Sequence, residues 1–199
     1  IGLLHPGIVS AERQAQAASR PVVSVEDFYK RSLATQLKIS PNGEYLAATM
    51  PLEDHTDLVI LDRLSLKVVS QVKFKDKSHV DDYFWVNPTR ILFTEKQKKG
   101  SLSEPRPLPG IYAINADGSK NLKLSDATLI DTLVNENDWV LVESRGIIRR
   151  LNVNNGKVEI SKYRNPITNG SFVTDNSGEV RFFSGRRAQD FPGRLYVYQ

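Results

Sequence analysis

Cysteine is absent from the 199 residues of this chain. Its absence excludes a disulfide framework, a zinc site built on thiolates and a cysteine nucleophile. Long apolar runs are missing as well, since no segment reaches the roughly 18 consecutive apolar residues that a membrane-spanning helix requires. The sequence therefore predicts no membrane partner. It also contains only three histidines that could serve as ligands or bases.

A strong net charge of either sign is also missing. The formal net charge of +4 comes from 27 basic and 23 acidic residues, and the basic side chains are concentrated in short clusters at 73–77, 95–100 and 145–150. Proteins that bind nucleic acids carry a denser basic stripe on one face. Lysines are also common on exposed strand edges, where they discourage unwanted strand pairing. We therefore expect no nucleic-acid partner.

The sequence does contain a recurring turn that is followed by an apolar strand. Its first example, at 39–50, reads ISPNGEYLAATM. Pro41 has the φ that the second position of a β-turn needs, and Gly43 accepts the positive φ that other residues resist. The chain therefore reverses here. The small and apolar residues that follow indicate a strand with both faces covered.

Similar segments return along the chain and alternate with a second type, an apolar strand that runs into a polar turn. Successive turns of the first type lie about 40–50 residues apart, which is the length of one four-stranded propeller blade. We therefore predict an all-β fold, a partial β-propeller of about three and a half to four blades of four-stranded antiparallel sheet. The first type recurs at 85–94, 134–144 and 173–184, and the second is found at 58–69, 111–124, 147–160 and 195–198.

The N-terminal part of the chain has a different pattern. Residues 1–20 begin with an apolar segment and contain small-x-small sites at 9–11 and 15–17, which are typical of signal peptidase cleavage. We interpret 1–20 as the remnant of a signal peptide, which predicts export to the periplasm or the extracellular space. The alternative is a disordered N-terminus. Residues 24–32 have a capping-box pattern and predict one short helix before the strands.

The order of these segments resembles that of a known protein family. The chain contains, in this order, VEDFYKRS, KISPNGEYLAA, LVILDRLSLK, FWVNPTRILFT and GIYAINADGSK. This order is similar to the start of the β-propeller domain in bacterial serine peptidases of the prolyl oligopeptidase family, and SPNGEYLA is also similar to the blade repeat of TolB-like propellers. The resemblance covers about residues 21–185. It assigns 21–199 to the N-terminal part of a β-propeller domain that is truncated here.

The resemblance implies a partner and a ligand. In that family the propeller covers an α/β-hydrolase domain with a Ser, Asp, His triad, so it implies such a domain in the same polypeptide and short peptides as substrates. This chain departs from the family because it contains no G-x-S-x-G nucleophile elbow; the strings at 100–104 and 169–173 lack the second glycine. We therefore predict no catalytic residue, no metal ligand and no cofactor-binding residue in this chain.

Three other segments of the sequence are candidate sites. Histidine lies close to carboxylates in DHTD at 54–57 and HVDD at 79–82; together they are candidates for a metal site, but their spacing is not diagnostic, and polar loop residues explain them better. Residues 95–110 form a long, basic, proline-containing loop. Contact with a partner domain or subunit would explain a loop of this length. Asn169 begins a glycosylation pattern, but Asn-Gly also favours a type I′ hairpin turn, which we prefer.

Two functions remain open at this point. The first is the non-catalytic propeller part of an exported serine peptidase, which restricts and positions short peptides for the hydrolase domain. The second is a stand-alone or accessory TolB-like propeller that binds a partner protein through its loops. Fold analogy does not separate them, since propellers have unrelated functions. In both, an open arc of blades leaves apolar faces uncovered, which predicts self-association through the open blade edges.

The absence of a nucleophile elbow generates a first prediction. A serine hydrolase needs a nucleophile, a base, an orienting acid and an oxyanion hole, and none of His5, His55 and His79 is set beside a serine on such an elbow. We expect that a fluorophosphonate probe does not label this chain and that the chain does not hydrolyse aminoacyl or dipeptidyl chromogenic substrates, whereas its longer parent protein does both. Stoichiometric labelling of a serine, mapped by mass spectrometry, would contradict this.

Overall fold

A computed structural model describes residues 33–75, 77–100, 103–167, 170–185 and 194–198 of the chain, all of them in the unit Ser32–Gln199. The predicted signal-peptide remnant at 1–20 and the predicted helix at 24–32 lie outside these residues. Both therefore stay predictions.

The described residues form sixteen β-strands and no helix. The described part of the chain therefore contains no helix that could cross a bilayer. The strands are β1 (Thr35–Ile39), β2 (Tyr45–Pro51), β3 (Thr56–Asp62), β4 (Val68–Val72), β5 (Ser78–Asn87), β6 (Arg90–Gln97), β7 (Arg106–Pro107), β8 (Ile111–Asn115), β9 (Leu122–Ser125), β10 (Thr128–Asp131), β11 (Trp139–Ser144), β12 (Ile147–Asn152), β13 (Val158–Arg164), β14 (Gly170–Thr174), β15 (Val180–Gly185) and β16 (Arg194–Val197).

Successive strands pair antiparallel into groups that each form one propeller blade, and the first two groups belong to one nine-stranded sheet because a parallel pair joins β3 to β5. The first blade consists of β1 to β4, and the second of β5, β6, β8 and β9, with the short β7 paired to the end of β6. The third consists of β10 to β13, and β14 to β16 are the described strands of a fourth. This arrangement confirms the predicted all-β propeller of about three and a half to four blades.

In the second and third blades the second strand has the most buried residues. In β6, Ile91 and Phe93 pack in the core shared with the first blade, and Leu92 packs in the core shared with the third. All three side chains are 0–2% exposed. In β11, Val140 faces the second blade and Leu141 the fourth. Because successive side chains of a strand point to opposite faces, one strand contributes to two cores.

Three apolar cores therefore lie between neighbouring sheets. Removing the side chain of one fully buried leucine or isoleucine from such a core costs about 2–5 kcal/mol, which is a large part of the stability of a typical domain. The first core contains Ala47, Leu58, Ile60, Val72, Phe74, Val80, Tyr83, Ile91, Phe93, Ile114 and Ala116; the second contains Val86, Leu92, Ile111, Ala113, Val140, Val142, Leu151 and Val153; the third contains Leu133, Leu141, Ile148 and Val180.

Two buried polar side chains of the second blade reach its neighbours. The Tyr83 hydroxyl donates to the carbonyl of Ala47 in the first blade at 2.8 Å, and burial raises the pKa of Tyr83. Arg90 donates from Nε to the carbonyl of Val153 at 2.9 Å and from Nη1 to Asn115 Oδ1 at 2.7 Å. A buried polar group without a partner is destabilising, so these bonds fix how the blades sit against each other.

A single parallel residue pair joins the first two blades. It connects Thr56 of β3 with His79 of β5, and His79 Nδ1 lies 3.1 Å from Thr56 Oγ1. Burial of the ring lowers the pKa of His79, and the positive charge of Lys96 lowers it further. The neutral imidazole is thus favoured at this junction.

The turn before β2 has the predicted geometry. Gly43 N donates to the Ser40 carbonyl at 2.9 Å, which places Pro41 at the second position of the turn, and the φ of Gly43 is +72°. Tyr45 N donates to Ser40 Oγ at 3.0 Å. Gly178 has an equivalent place in the turn before β15, with a φ of +82°.

One predicted turn is wrong. Gly170 is the first residue of β14 and pairs with Gly185, whereas the second central residue of a type I′ turn would not pair in a ladder. Asn169 lies outside the described residues. Phe172, two residues later in β14, packs against the third core.

Substitution of Gly43 tests the turn. Gly43→Val should lower the free energy of unfolding by about 1–3 kcal/mol, because a β-branched residue resists positive φ. An added Cβ would meet Arg63 Nε and Ile39 Cδ1 at 3.9 Å, so the cost comes from the backbone and not from crowding. Glu44→Gln, at the exposed neighbouring position, should be nearly neutral. Equal shifts in thermal melting for the two variants would contradict the assignment.

The pKa of His79 predicts how stability depends on pH. Because the pKa of His79 is lower in the folded chain, the unfolded chain binds the proton at a higher pH. The stability that the neutral ring contributes is therefore complete above the unfolded pKa of about 6.5 and is lost as the pH falls below it. His79→Gln should therefore flatten the decrease in unfolding free energy as the pH falls below about 6.5, measured by urea unfolding. The lowered pKa values of Asp54 and Asp175 act at lower pH. An unchanged slope would contradict this.

Candidate functional site

A cleft of about 990 Å³ runs along β10, the first strand of the third blade. Its other walls come from β5 of the second blade, from 107–110 and from the turn at 174–176 in the fourth blade. Ligand sites in proteins commonly measure about 300–1,000 Å³. The cleft thus has the size of a site for a short peptide or another molecule of that size.

The strand β10 presents its edge to the cleft. It is the outermost strand of its sheet and pairs with β11. All seven consecutive residues of 126–132 line the cleft. Because alternate side chains of a strand point to opposite faces, a continuous lining of this kind means that the backbone edge itself borders the cleft. An edge strand offers N–H and C=O groups to an extended ligand.

One wall of the cleft is apolar. Phe84 of β5, Leu108, Pro109 and Leu129 contribute to it. The Nζ of Lys38 lies 4.6 Å from the centroid of the Phe84 ring, so a cation already occupies one side of this aromatic ring. Such a wall suits the side chains of an apolar ligand.

The other lining side chains are predominantly acidic. Among the described residues that line the cleft there are six carboxylates and one arginine, Arg145, and neither lysine nor histidine. A concave surface with one sign of charge concentrates ligands of the opposite sign. The carboxylates are Asp81, Asp82, Asp126, Asp131, Glu143 and Asp175.

Some of these carboxylates form ion pairs with lysines outside the lining. The distances from Nζ to Oδ1 are 2.8 Å for Lys38 and Asp82 and 2.7 Å for Lys123 and Asp126. Both pairs are substantially exposed, where an ion pair contributes roughly 0–1 kcal/mol. They therefore orient the carboxylates more than they stabilise the fold.

Asp131 and Glu143 accept hydrogen bonds from neutral donors. Asp131 Oδ1 accepts from the backbone N of Leu133 at 2.7 Å, and its Oδ2 accepts from the hydroxyl of Thr174 in the fourth blade. Glu143 Oε1 accepts from the backbone N of Gly146. Neutral donors hold a carboxylate in place without cancelling its charge, so these two groups can act on a cation in the cleft.

Asp175 lies at the fourth-blade end of the cleft. It accepts hydrogen bonds of 2.6 Å from Ser177 Oγ and from Arg181 Nε. The bond from the Ser177 hydroxyl, followed by that from Arg181, lowers the pKa of Asp175 far below its usual value. This carboxylate therefore stays ionised in neutral and mildly acidic solution.

The two histidine-containing segments, 54–57 and 79–82, contact each other but do not form one site. Thr56 pairs with His79, and His55 Nε2 lies 3.6 Å from Asp57 Oδ1, but neither histidine lines the cleft, whereas Asp81 and Asp82 of the second segment do. Within the described part of the chain, no group of three or more His, Cys, Asp or Glu side chains could hold a metal ion. The segments act as contacts between strands.

The long loop at 95–110 returns along the strand that precedes it. In β7, Pro107 pairs with Lys96 and Arg106 with Gln97, and Leu108 N donates to the Glu95 carbonyl at 2.8 Å. Because the loop folds back in this way, its last residues reach the cleft. Contact of this loop with another domain or subunit stays a prediction.

Comparisons with known proteins give the fold. No protein-family model matches the chain, and no curated protein matches it. Among solved structures, it is similar to the acylaminoacyl peptidase of Pyrococcus horikoshii (12% identity, TM-score 0.50, 84% of this chain and 31% of that one) and to a eukaryotic initiation factor (12%, 0.50, 82% and 40%). It is also similar to TolB from Acinetobacter baumannii (14%, 0.43, 83% and 40%).

The chain spans 31–40% of the lengths of these three proteins. A peptidase and an initiation factor have the same identity and the same TM-score with this chain. The similarity therefore indicates a shared architecture and gives no information on activity. Together with the succession of four-stranded antiparallel units, the comparisons identify the described residues as part of a β-propeller.

Proposed function

We propose that this chain is the non-catalytic β-propeller part of an exported serine peptidase similar to prolyl oligopeptidases, and that its cleft receives short peptide substrates. The order of motifs in the sequence supports this proposal, and a peptidase is among the solved structures with the same fold. An α/β-hydrolase domain elsewhere in the parent protein would supply the chemistry. The propeller restricts and orients what reaches it.

The observation that carries the proposal is the continuous lining of the cleft by 126–132. A peptide in extended conformation can pair its own N–H and C=O groups with the edge of β10, as in other cases of strand addition. Main-chain pairing is independent of peptide sequence, which suits a domain that handles many substrates. Its length limits how many residues can be held, because β10 has four residues.

The charges of the cleft select among peptides. Asp131 and Glu143 accept hydrogen bonds from neutral donors, which do not cancel a carboxylate charge, and Phe84, Leu108 and Leu129 give the cleft an apolar lining. A peptide with a free amino group or a basic side chain, followed by apolar residues, matches both features. An acidic peptide would be repelled.

The proposal predicts that a short apolar peptide with a free amino terminus binds to the cleft. Asp131→Asn should weaken this binding about tenfold. A hydrogen bond to a charged group contributes about 1.5–3 kcal/mol, and a loss of about 1.4 kcal/mol lowers the affinity tenfold. Asparagine keeps the acceptor for Leu133 N. Glu53→Gln, an exposed carboxylate of the first blade, is the matched control and should not change the affinity. Isothermal titration of the purified chain measures both.

Two modified peptides separate strand addition from simple charge attraction. Acetylation of the peptide's amino group should reduce its affinity for the native chain. The Asp131→Asn variant should then bind the acetylated peptide about as tightly as the native chain does. Methylation of one backbone nitrogen keeps charge and side chains but removes a donor, and should abolish pairing with β10. If neither free nor acetylated peptide binds, the peptide proposal is wrong, and the alternative of an accessory propeller that binds a partner protein replaces it.

A further inference from the structure

The described residues that line the cleft include a single guanidinium, that of Arg145. Arg145 is exposed, and its side chain makes no hydrogen bond or ion pair with another described residue. Glu143, two positions earlier, turns its Oε1 towards the backbone N of Gly146 instead. The positive charge of Arg145 is therefore available to a ligand in the cleft.

Most of the lining carboxylates are already compensated by basic groups. Four of the six have a lysine or arginine partner outside the lining, at 2.6–3.4 Å between nitrogen and oxygen, namely Asp81, Asp82, Asp126 and Asp175. Opposite charges at such distances largely cancel each other's field farther away. The charges that a ligand meets in the cleft are therefore mainly those of Asp131, Glu143 and Arg145.

Asp131 and Arg145 lie at opposite ends of β10. In the pairing of β10 with β11, Thr128 is opposite Glu143, and Asp131 is opposite Leu141. Arg145 follows Glu143 by two residues, in the turn between β11 and β12, and thus lies beyond the Thr128 end of β10. At about 3.3 Å per residue, Asp131 and Arg145 are about 16 Å apart along the strand.

We propose that Arg145 binds the terminal carboxylate of a peptide whose amino group lies at Asp131, so that the cleft selects peptides of about four or five residues with both ends free. This inference rests on the proposed function, because it concerns a peptide that pairs with β10. An extended chain of that length spans about 13–18 Å, which matches the separation of the two charges. A guanidinium can donate two parallel hydrogen bonds to one carboxylate.

The two charges also set the direction of the peptide. β10 runs from Thr128 to Asp131, so a peptide with its amino group at Asp131 and its carboxylate at Arg145 is antiparallel to β10. Antiparallel strand pairing is slightly more stable than parallel pairing. In the reverse direction, like charges would meet at both ends, and the peptide would be repelled.

The turn that carries Arg145 allows its charge to be removed without harm to the fold. Arg145 and Gly146 have φ angles of +53° and +77° and follow the pair of Ser144 with Ile147 in a two-residue hairpin loop. Positive φ at both central residues defines a type I′ turn, in which asparagine is preferred to arginine. Arg145→Asn should therefore leave the melting temperature unchanged or raise it.

Calorimetric titration of the purified chain with an apolar pentapeptide and with its C-terminal amide tests the inference. The native chain should bind the amide about tenfold more weakly than the free acid, since the amide lacks the charge that strengthens the hydrogen bonds. Arg145→Asn should bind the free acid about tenfold more weakly than the native chain does, and the acid and the amide with equal affinity. Arg145→Lys keeps the charge and should restore part of the preference for the acid.

Lys120 provides a matched control. It is an exposed basic residue with a φ of +50°, and it does not line the cleft. Lys120→Asn removes the same charge at a similar backbone conformation and should change the affinity for neither peptide. Equal affinities of the native chain for the acid and the amide would overturn the inference but leave the proposed function intact, because main-chain pairing and the contact with Asp131 do not need the carboxylate. If no peptide binds, with free or blocked ends, the proposed function and this inference are both wrong.

Discussion

The structure depends on the packing of one sheet face against the next. A sheet satisfies its own backbone hydrogen bonds, but its side chains must be covered on both faces when both are apolar. Leu92 is buried because the third blade covers it, and Ile91 is buried because the first blade does. Each blade thus buries its apolar faces against its neighbours, as in other repeat folds in which units contact the next unit. The hydrogen bonds of Tyr83 and Arg90 to the neighbouring blades fix the relative orientation of the packed sheets.

The same constraint explains where the cleft lies. Packing is concentrated on inner strands such as β3, β6 and β11, and edge strands such as β1 and β10 are less buried. Asp131 lies on such an edge strand and is only half-buried, so its carboxylate has no large desolvation cost. Neighbouring blades hold these edges at fixed positions. The hydroxyl of Thr174 in the fourth blade reaches Asp131 in the third, so inter-blade packing also positions the acidic lining.

Local signals explain which strands could be predicted from the sequence. Turns with Gly43 or Gly178 and the apolar strands after them have a strong pattern, because positive φ and burial on both faces restrict the residue types. The first strands lack this pattern. β5 contains a bulge between Val80 and Tyr83, and β10 is short and half-buried. The cleft could not be predicted, since its walls at 107–110, 126–132 and 174–176 meet only after the blades have packed.

A comparison of two equivalent turns shows which force sets the register. In both turns the backbone N of the fifth residue donates to the carbonyl of the first at 2.9 Å, from Leu66 to Asp62 between β3 and β4 and from Gly156 to Asn152 between β12 and β13. Gly156 has a φ of +74° and Leu66 one of +54°. A leucine in this conformation costs about 1–2 kcal/mol, whereas loss of one core side chain costs about 2–5 kcal/mol. The cores therefore decide the register of the strands, and the turn adopts the conformation that this register requires even where its residue resists it.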